Sequence, residues 1–355
     1  MAKLPVKPKK ILVVRHRFIG DTVLTVPFLR NLHYEYPQAQ IDVLVEKMAG
    51  SFLKHCPYIN HLINFENIEV PREKQVPKWK NLLNHINLLR AENYDMAFIL
   101  KRSFSSAMLC AFAGIPKRIS FDTEHRGFML TCKTPYDLTK HESECFLDLL
   151  RASDIPVKDN YLEAWTGEEE AKHIHNLLKD NINPAQKKVL INASASNPNK
   201  MWSVASYART IEELVNSFNV QVFFIGTRKD EQTYETILQA LPKELKTFPV
   251  NLIGKTNVLE STELLKHMDL VIGVDSGILH LSAAVNTPTI AIFGPMNDKK
   301  WAPLGDANTI ITAPVACRPC NLHKKCENCM ICMSNISHRD VIAIAAKYLK
   351  TKAPL

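Results

Sequence analysis

The chain has 355 residues, 46% hydrophobic and 23% charged, the composition of a soluble globular protein long enough for two domains. No apolar run approaches the ~18 residues of a membrane-spanning helix. The only apolar stretch near the start, Ile11 to Val14, is cut off by Arg15, His16 and Arg17, which is not the pattern of a secretory leader, so a cytoplasmic protein is expected. Lysine and arginine outnumber aspartate and glutamate by 44 to 36, a net charge of +8. That excess suits a phosphorylated sugar, a nucleotide, nucleic acid or an anionic membrane face without choosing among them, and a solvated surface explains it equally well.

Ile11 to Val14 reads as a first buried strand. Gly20-Asp21 sits at its end and opens an amphipathic helix whose apolar face is Val23, Leu24, Val26, Phe28, Leu29 and Leu32, stopped by Pro37. Ile41 to Val45 is the next strand, so the chain opens as a doubly wound α/β protein. Sites on such sheets lie at the carboxyl ends of strands, which places Gly20 and Asp21 at a crevice. On the residues alone, a helix N-cap is the favoured role of Asp21. Leu62 to Phe65 reads as a short strand, Glu66 to Lys80 as a charged loop or frayed helix, and Trp79, Leu82, Leu83, Ile86 and Leu89 have helical spacing. Strand Met96 to Leu100 is followed at once by Lys101-Arg102-Ser103, a basic and hydroxyl grip for an anion or a sugar. A helix from Ser106 to Ala113 stops at Gly114 and Pro116. Lys117, Arg118, His125 and Arg126 add cations to the next loop, and His141, Glu142 and Glu144 open a helix through Leu150.

Arg151 to Asn183, less apolar, reads as the crossing between domains and holds one helix, Glu168 to Leu178. The plan then restarts. Val189 to Ile191 is a strand, Asn192 to Lys200 a loop of small polar residues, and Trp202 to Phe218 largely helical. Strand Val220 to Ile225 ends at Gly226, and Thr227 to Glu231 leads into a helix through Leu241. A helix from Ser261 to His267 precedes two β-branched runs, Leu270 to Ile272 and Thr289 to Phe293. Between these lie the turn Asp275-Ser276-Gly277 and a helix of about two turns, Ile278 to Val285: one βαβ unit. The N–H groups opening such a helix suit an anion, although simple capping is the favoured role of the turn taken by itself. The last helix, Arg339 to Leu349, has a packing role.

Of nine cysteines, Cys56, Cys110, Cys132 and Cys145 are scattered; Cys317, Cys320, Cys326, Cys329 and Cys332 are clustered. A disulfide framework is not expected in a cytoplasmic protein. The cluster's spacing fits a zinc or iron–sulfur site, with His323 as a further ligand.

Taken together, Ile19-Gly20-Asp21, Lys200-x-Trp202, Gly226 with Glu231, Asp275-Ser276-Gly277-x-x-His280, Phe293-Gly294-Pro295 and Trp301-x-Pro303-x-Gly305 make nearly the whole chain resemble glycosyltransferase family 9, the ADP-heptose:lipopolysaccharide heptosyltransferases. The resemblance implies an α/β GT-B architecture, two Rossmann-like doubly wound domains facing each other across a cleft. Residues 1–165 would bind the acceptor, 166–185 would cross between domains, and 186–336 would bind the nucleotide sugar and carry the cysteine-rich segment 317–332. The C-terminal helix in 337–355 would pack back on the N-terminal domain.

The implied chemistry is an inverting, metal-independent transfer needing no cofactor, with ADP-heptose or a related nucleotide sugar as donor. The acceptor would be the lipid A–core at the inner face of the membrane, where the enzyme would be cytoplasmic and peripheral; nucleic acid would not be a partner. Asp21 would be the general base and Lys200 the cation for the leaving diphosphate. Glu231 would hold the nucleotide ribose, Asp275 would orient the donor or its loop, Ser276 and Gly277 would offer backbone N–H groups, and His280 would lie nearby. Lys101, Arg102, Ser103, Arg118 and Arg126 are the acceptor-side candidates, with solvated basic loops as the alternative for each. Many members carry threonine after the Gly-Pro pair; Met296 stands there in this chain and removes a hydroxyl contact to the donor. The resemblance assigns the cysteine segment a local structural role outside the chemistry. Two other readings stay open: a member using another nucleotide sugar, and a non-catalytic zinc- or nucleic-acid-binding module.

Overall fold

The computed structural model of the protein describes residues 7–15, 17–65, 78–179, 181–323, 325–327 and 329–350. The chain divides into two units, Met1–Asn160 and Tyr161–Leu355. The first holds β1 (Lys10–Val14), β2 (Gln40–Val45), β3 (His61–Asn64), β4 (Met96–Ile99), β5 (Lys117–Phe121) and β6 (Cys132–Thr134), in the order β3-β2-β1-β4-β5-β6. Every pairing in it is parallel. Along β1, Leu12 and Val14 belong to one core cluster, with Ala97 and Ile99 of β4, while the pleat sends Ile11 and Val13 to the opposite face. These four side chains are fully buried, so the sheet is covered on both faces. That is why its central strands read as unbroken apolar runs instead of alternating ones.

The second unit holds β7 (Lys187–Asn192), β8 (Val220–Phe224), β9 (Val250–Asn251), β10 (Leu270–Val274), β11 (Thr289–Phe293) and β12 (Asn308–Thr312), in the order β12-β11-β10-β7-β8-β9. These pairings are parallel too. Counted from the first strand of each unit, both sheets run 3-2-1-4-5-6, the doubly wound order of dinucleotide-binding folds. The strand order reverses between β1 and β4 in one unit and between β7 and β10 in the other. Loops leaving those four strands therefore flank the two switch points where such sheets bind ligands.

Several elements differ from the sequence reading. The first helix is two: Ile19–Val23, then Val26–Glu35 with Thr25 as its N-cap. Pro27 explains the break, because a ring without an N–H is tolerated only in the first turn of a new helix. Lys117 and Arg118 lie on β5 and not in a loop. Of the segment Glu66 to Lys80, residues 66–77 lie outside the described residues; helix Lys78–Glu92 follows. The helix Glu168–Lys179 expected in the crossing packs within the second unit, against helix Val258–Lys266.

The C-terminal helix, His338–Leu349, is part of the second unit. Its Val341, Ile342, Ala345 and Leu349 are buried in the core cluster of the second unit, and Tyr348 Oη lies 3.0 Å from Thr309 Oγ1 on β12. The apolar stripe at i, i+1, i+4 and i+8 needed a sheet face, and the neighbouring β10 to β12 supply it.

Candidate active site

At the first switch point, Phe18 takes φ 69° and stands as N-cap of helix Ile19–Val23 without a side-chain capping bond. Asp21 is therefore the third helical residue and not the cap that the residues alone favoured. Its carboxylate is ion-paired with the Arg15 guanidinium, which is itself buried and lies over the Phe146 ring, 5.4 Å from the centroid. Burial is the largest influence on Asp21 and raises its pKa; the Arg15 charge opposes this, Glu142 adds to it and Arg102 opposes it, with a net upward result. Glu142, buried at the start of helix Glu142–Arg151, accepts a hydrogen bond from Tyr136 Oη. Arg102 stacks on the same tyrosine, its guanidinium carbon 4.0 Å from the ring centroid. A carboxylate that resists ionisation, held by a cation at the end of a strand and 12% exposed, can accept a proton.

The acceptor-side candidates separate into two groups. Lys101 and Arg102 leave β4 at the switch point, and the Lys101 ammonium is pushed down first by burial and then by the Arg17 and Arg15 charges. Ser103 follows them, its hydroxyl 2.7 Å from Ser106 Oγ. Arg118 and Arg126 are instead committed to the protein itself. Arg118 donates to the carbonyls of Ile115 and Met129. Arg126 is fully buried and donates to Phe121 O (3.1 Å), Lys101 O (2.6 Å), Ser103 O (2.9 Å) and Ser120 Oγ (2.7 Å). A guanidinium can be buried only when its donors are satisfied, so Arg126 fastens the 101–103 loop and is not placed to touch an acceptor. Burial also lowers its pKa to about 10.

In the second unit, Lys200 Nζ and Asp275 Oδ2 form a 2.7 Å ion pair, with side chains 16% and 13% exposed. Lys200 closes the turn Pro198–Lys200 after β7, and Asp275 follows β10. Trp202, two residues on, is anchored in the core by its Nε1–H donating to Ile336 O (3.0 Å), which fixes where the lysine starts. Ser276, the N-cap residue of helix Gly277–Ala284, makes no side-chain capping bond. Its hydroxyl instead takes a hydrogen bond from Asn192 Nδ2 (2.7 Å), at the end of β7. Gly273 permits this approach, since a Cβ there would stand 3.1 Å from Asn192 O and Asn192 Cβ. The helix start is thus left without a side-chain cap, one residue after the Asp275 of the ion pair. His280 is buried in that helix.

Glu231 is exposed at the start of helix Glu231–Ala240. The acid that organises this loop is its neighbour Asp230, which sequence reasoning missed. Asp230 accepts from Thr227 N (2.7 Å), Thr227 Oγ1 (2.8 Å) and Ser194 Oγ (2.7 Å), tying the loop after β8 to the loop after β7. A Thr-x-x-Asp spacing of the capping-box kind carried the signal.

Residues 82–331 match the family model of glycosyltransferase family 9 (heptosyltransferase). The chain belongs to this family. Lipooligosaccharide heptosyltransferase 2 of Haemophilus influenzae is 30% identical over 311 residues, 85% of this chain and 88% of that protein. Lipopolysaccharide heptosyltransferase 2 of Escherichia coli K12 is 27% identical over 318 residues, 85% and 87% of the two chains. The solved structure of E. coli ADP-heptose lipopolysaccharide heptosyltransferase II superposes with a TM-score of 0.78 at 24% identity, covering 96% of this chain and 98% of that one. A family 9 structure from Veillonella parvula superposes with a TM-score of 0.86 at 19% identity, covering 98% and 99%. The protein is a glycosyltransferase of the GT-B fold class, and among its described residues no helix is long and apolar enough to cross a membrane.

In this family 9 glycosyltransferase the cysteine segment fastens the loop after β11. Arg318 donates to Gly294 O (2.6 Å) and Met296 O (3.3 Å) and pairs with Asp298 Oδ1 (2.8 Å). Asn321 N donates to Pro295 O (2.9 Å), and Asn321 Oδ1 accepts from Asn297 N (3.0 Å). A Cβ on Gly294 would stand 2.0 Å from Met333 Sδ. All five cysteines are free thiols, and Met330 N–H donates to Cys326 Sγ (3.4 Å). Among the described residues no group of three or more His, Cys, Asp or Glu is arranged to hold a metal ion. The spacing suggested one; Cys317, Cys320, Cys326 and Cys332 line one cavity, while Cys329 is exposed, on a backbone of φ 45° that continues into Met330 at φ 56°.

Proposed function

We propose that this glycosyltransferase moves a heptose from ADP-heptose to a sugar hydroxyl of the lipopolysaccharide inner core, with inversion and without a metal. The names of the relatives support the sugar and the acceptor class. The observation that carries the mechanism is Asp21: a carboxylate only 12% exposed with a raised pKa, paired with Arg15, on the first turn after β1.

In the proposed step the acceptor oxygen forms a bond to the anomeric carbon while the bond from that carbon to the diphosphate oxygen breaks. The hydroxyl proton passes to Asp21, and ADP leaves with the electron pair. Negative charge grows on the diphosphate, where Lys200 and the N–H groups opening helix Gly277–Ala284 act. Asp275 holds the Lys200 ammonium in place. Lys101 and Arg102 serve the acceptor side, in the N-terminal unit, and Glu231 or its neighbour Asp230 serves the nucleotide ribose.

The testing experiment is a transfer assay with ADP-heptose and a Kdo–lipid A acceptor, with and without its first heptose, on wild type and Asp21→Ala. Wild-type transfer with loss in the variant, and ADP binding retained, supports the reading; an active Asp21→Ala enzyme sinks the base assignment. A second reading, another nucleotide sugar as donor, is motivated by Met296, and a donor panel decides it.

A further inference from the structure

Arginines of the N-terminal unit mostly serve the protein itself. Arg15, Arg30, Arg118, Arg126 and Arg151 each give side-chain N–H groups to a protein oxygen. Arg102 differs. Among the described residues no oxygen takes a hydrogen bond or an ion pair from its side chain, and its contact is with the face of Tyr136, 4.0 Å from guanidinium carbon to ring centroid. A guanidinium over a ring is held through its charge and not through its N–H groups. The whole fork of donors is therefore left for a ligand, on a side chain that is already half-buried.

The ring beneath it is fixed from two directions. Tyr136 lies in the loop after β6 and meets Phe121, fully buried at the end of β5, edge to face, with centroids 5.1 Å apart and planes at 76°. Its hydroxyl donates to Glu142, which is 2% exposed at the start of helix Glu142–Arg151. Burial first, and then the Glu142 charge, push the Tyr136 pKa up, so the hydroxyl keeps the proton it donates. An arginine held before its ligand arrives loses less rotamer freedom on binding, which strengthens the affinity. Arg102 also stands near enough to Asp21 for its charge to act on that carboxylate.

We infer that Tyr136 is a positioning residue for acceptor recognition: held by Glu142 and Phe121, its ring seats the Arg102 guanidinium so that the open fork takes two oxygens of one acidic group, a carboxylate or a phosphate, on the acceptor. A planar fork of donors matches that class of group and no neutral hydroxyl. An acceptor gripped there is held close to Asp21, so the grip helps decide which hydroxyl is presented to the base. For the identity of the acceptor the inference rests on the function proposed above.

The test is titration calorimetry of the full chain with the deacylated Kdo–lipid A acceptor in three forms: intact, with its carboxylates reduced to alcohols, and with its phosphates removed. Wild type should bind at least one altered form about tenfold or more weakly than the intact one, because a charge-assisted fork is lost. Loss with the reduced form assigns the gripped group as the carboxylate, loss with the other as the phosphate, and either supports the inference. Arg102→Ala should remove most of the difference. Tyr136→Leu should weaken the intact form about three- to tenfold and leave the form without the gripped anion unchanged, while Tyr136→Phe, which keeps the ring face, should bind like wild type. In transfer assays Tyr136→Leu should raise the acceptor KM by the same factor, with kcat, donor KM and melting temperature nearly unchanged. Tyr136→Met takes its place if Tyr136→Leu fails to fold. Wild type binding all three forms alike, or none, overturns the inference. So does Tyr136→Leu weakening every form equally, as a tyrosine with only a packing role would, or Tyr136→Phe behaving like Tyr136→Leu. Anion-dependent binding without transfer would sink the proposed function and leave the grip standing; transfer without anion dependence would do the reverse.

Discussion

Lys200 Nζ and Asp275 Oδ2 meet at 2.7 Å between the loops that leave β7 and β10. Each side chain has its polar partner in a mostly buried place. It also fixes a cation beside a helix start without a side-chain cap. Lys200→Ala is expected to lower kcat by about 10²–10³-fold, the usual loss when one group that stabilises transition-state charge is removed. Asp275→Ala should act largely through the lysine, so the double variant should be little worse than Lys200→Ala alone. Steady-state kinetics on the four proteins of this cycle check both statements.

Asp21 makes a prediction about pH. Its pKa lies above the ordinary aspartate value of 3.8 because burial and the Glu142 charge outweigh Arg15 and Arg102. With Asp21 as the proposed base the carboxylate is the active form, so activity should fall, as pH is lowered, at a higher pH than an ordinary aspartate would give. Glu142→Gln removes one upward influence and should move the acid limb of the kcat/KM profile to lower pH. Asp21→Asn should cost about 10²–10⁴-fold in kcat above the acid limb and should lose that limb. A limb that stays in place in Glu142→Gln would contradict the electrostatic account.

Arg126 and Arg102 should separate stability from binding. Arg126→Leu leaves two loop carbonyls and the Ser120 hydroxyl without their donor, and should lower unfolding stability by about 3 kcal/mol or more in urea. Arg102→Ala should change stability much less and should raise the KM for acceptor, with the donor KM nearly unchanged.

Arg318 joins the cysteine segment to the loop Gly294–Asp298 through two carbonyls and one carboxylate. Arg318→Ala is expected to raise the KM for the nucleotide sugar several-fold with a smaller effect on kcat. Arg318→Lys should restore little, because an ammonium cannot reproduce the fork. Faster amide hydrogen exchange at residues 296–298 is the structural readout.

The central strands were legible because a parallel sheet covered on both faces demands long β-branched runs, as in Thr289–Phe293 and Leu270–Val274. β5 and β6 were not, because their sequences, KRISF and CKT, mix cations with apolar residues near the sheet edge and are partly exposed. The same edge explains the misreading of Arg118 and Arg126. A cation in sequence looks alike whether it faces solvent or turns inward to satisfy carbonyls, and only the tertiary fold decides. Asp21, Lys200 and Asp275 were legible as strand-end residues. Arg15 and Glu142 beside Asp21, and the Asn192 that donates to Ser276, were not, since nothing local distinguishes them. Asp230 was overlooked beside Glu231 because a capping acid and an exposed acid differ only in the direction of one side chain.

The shared 3-2-1-4-5-6 order gives the two halves corresponding positions. After its first strand the N-terminal unit places an acid, Asp21, and after its fourth the cations Lys101 and Arg102. The C-terminal unit places the cation Lys200 after its first strand and the acid Asp275 after its fourth. One architecture thus occurs twice with its polarity exchanged. A single backbone plan can then suit the two roles proposed for its copies, taking up a proton in one and holding a departing anion in the other, by choice of side chain at equivalent places and without any change of fold.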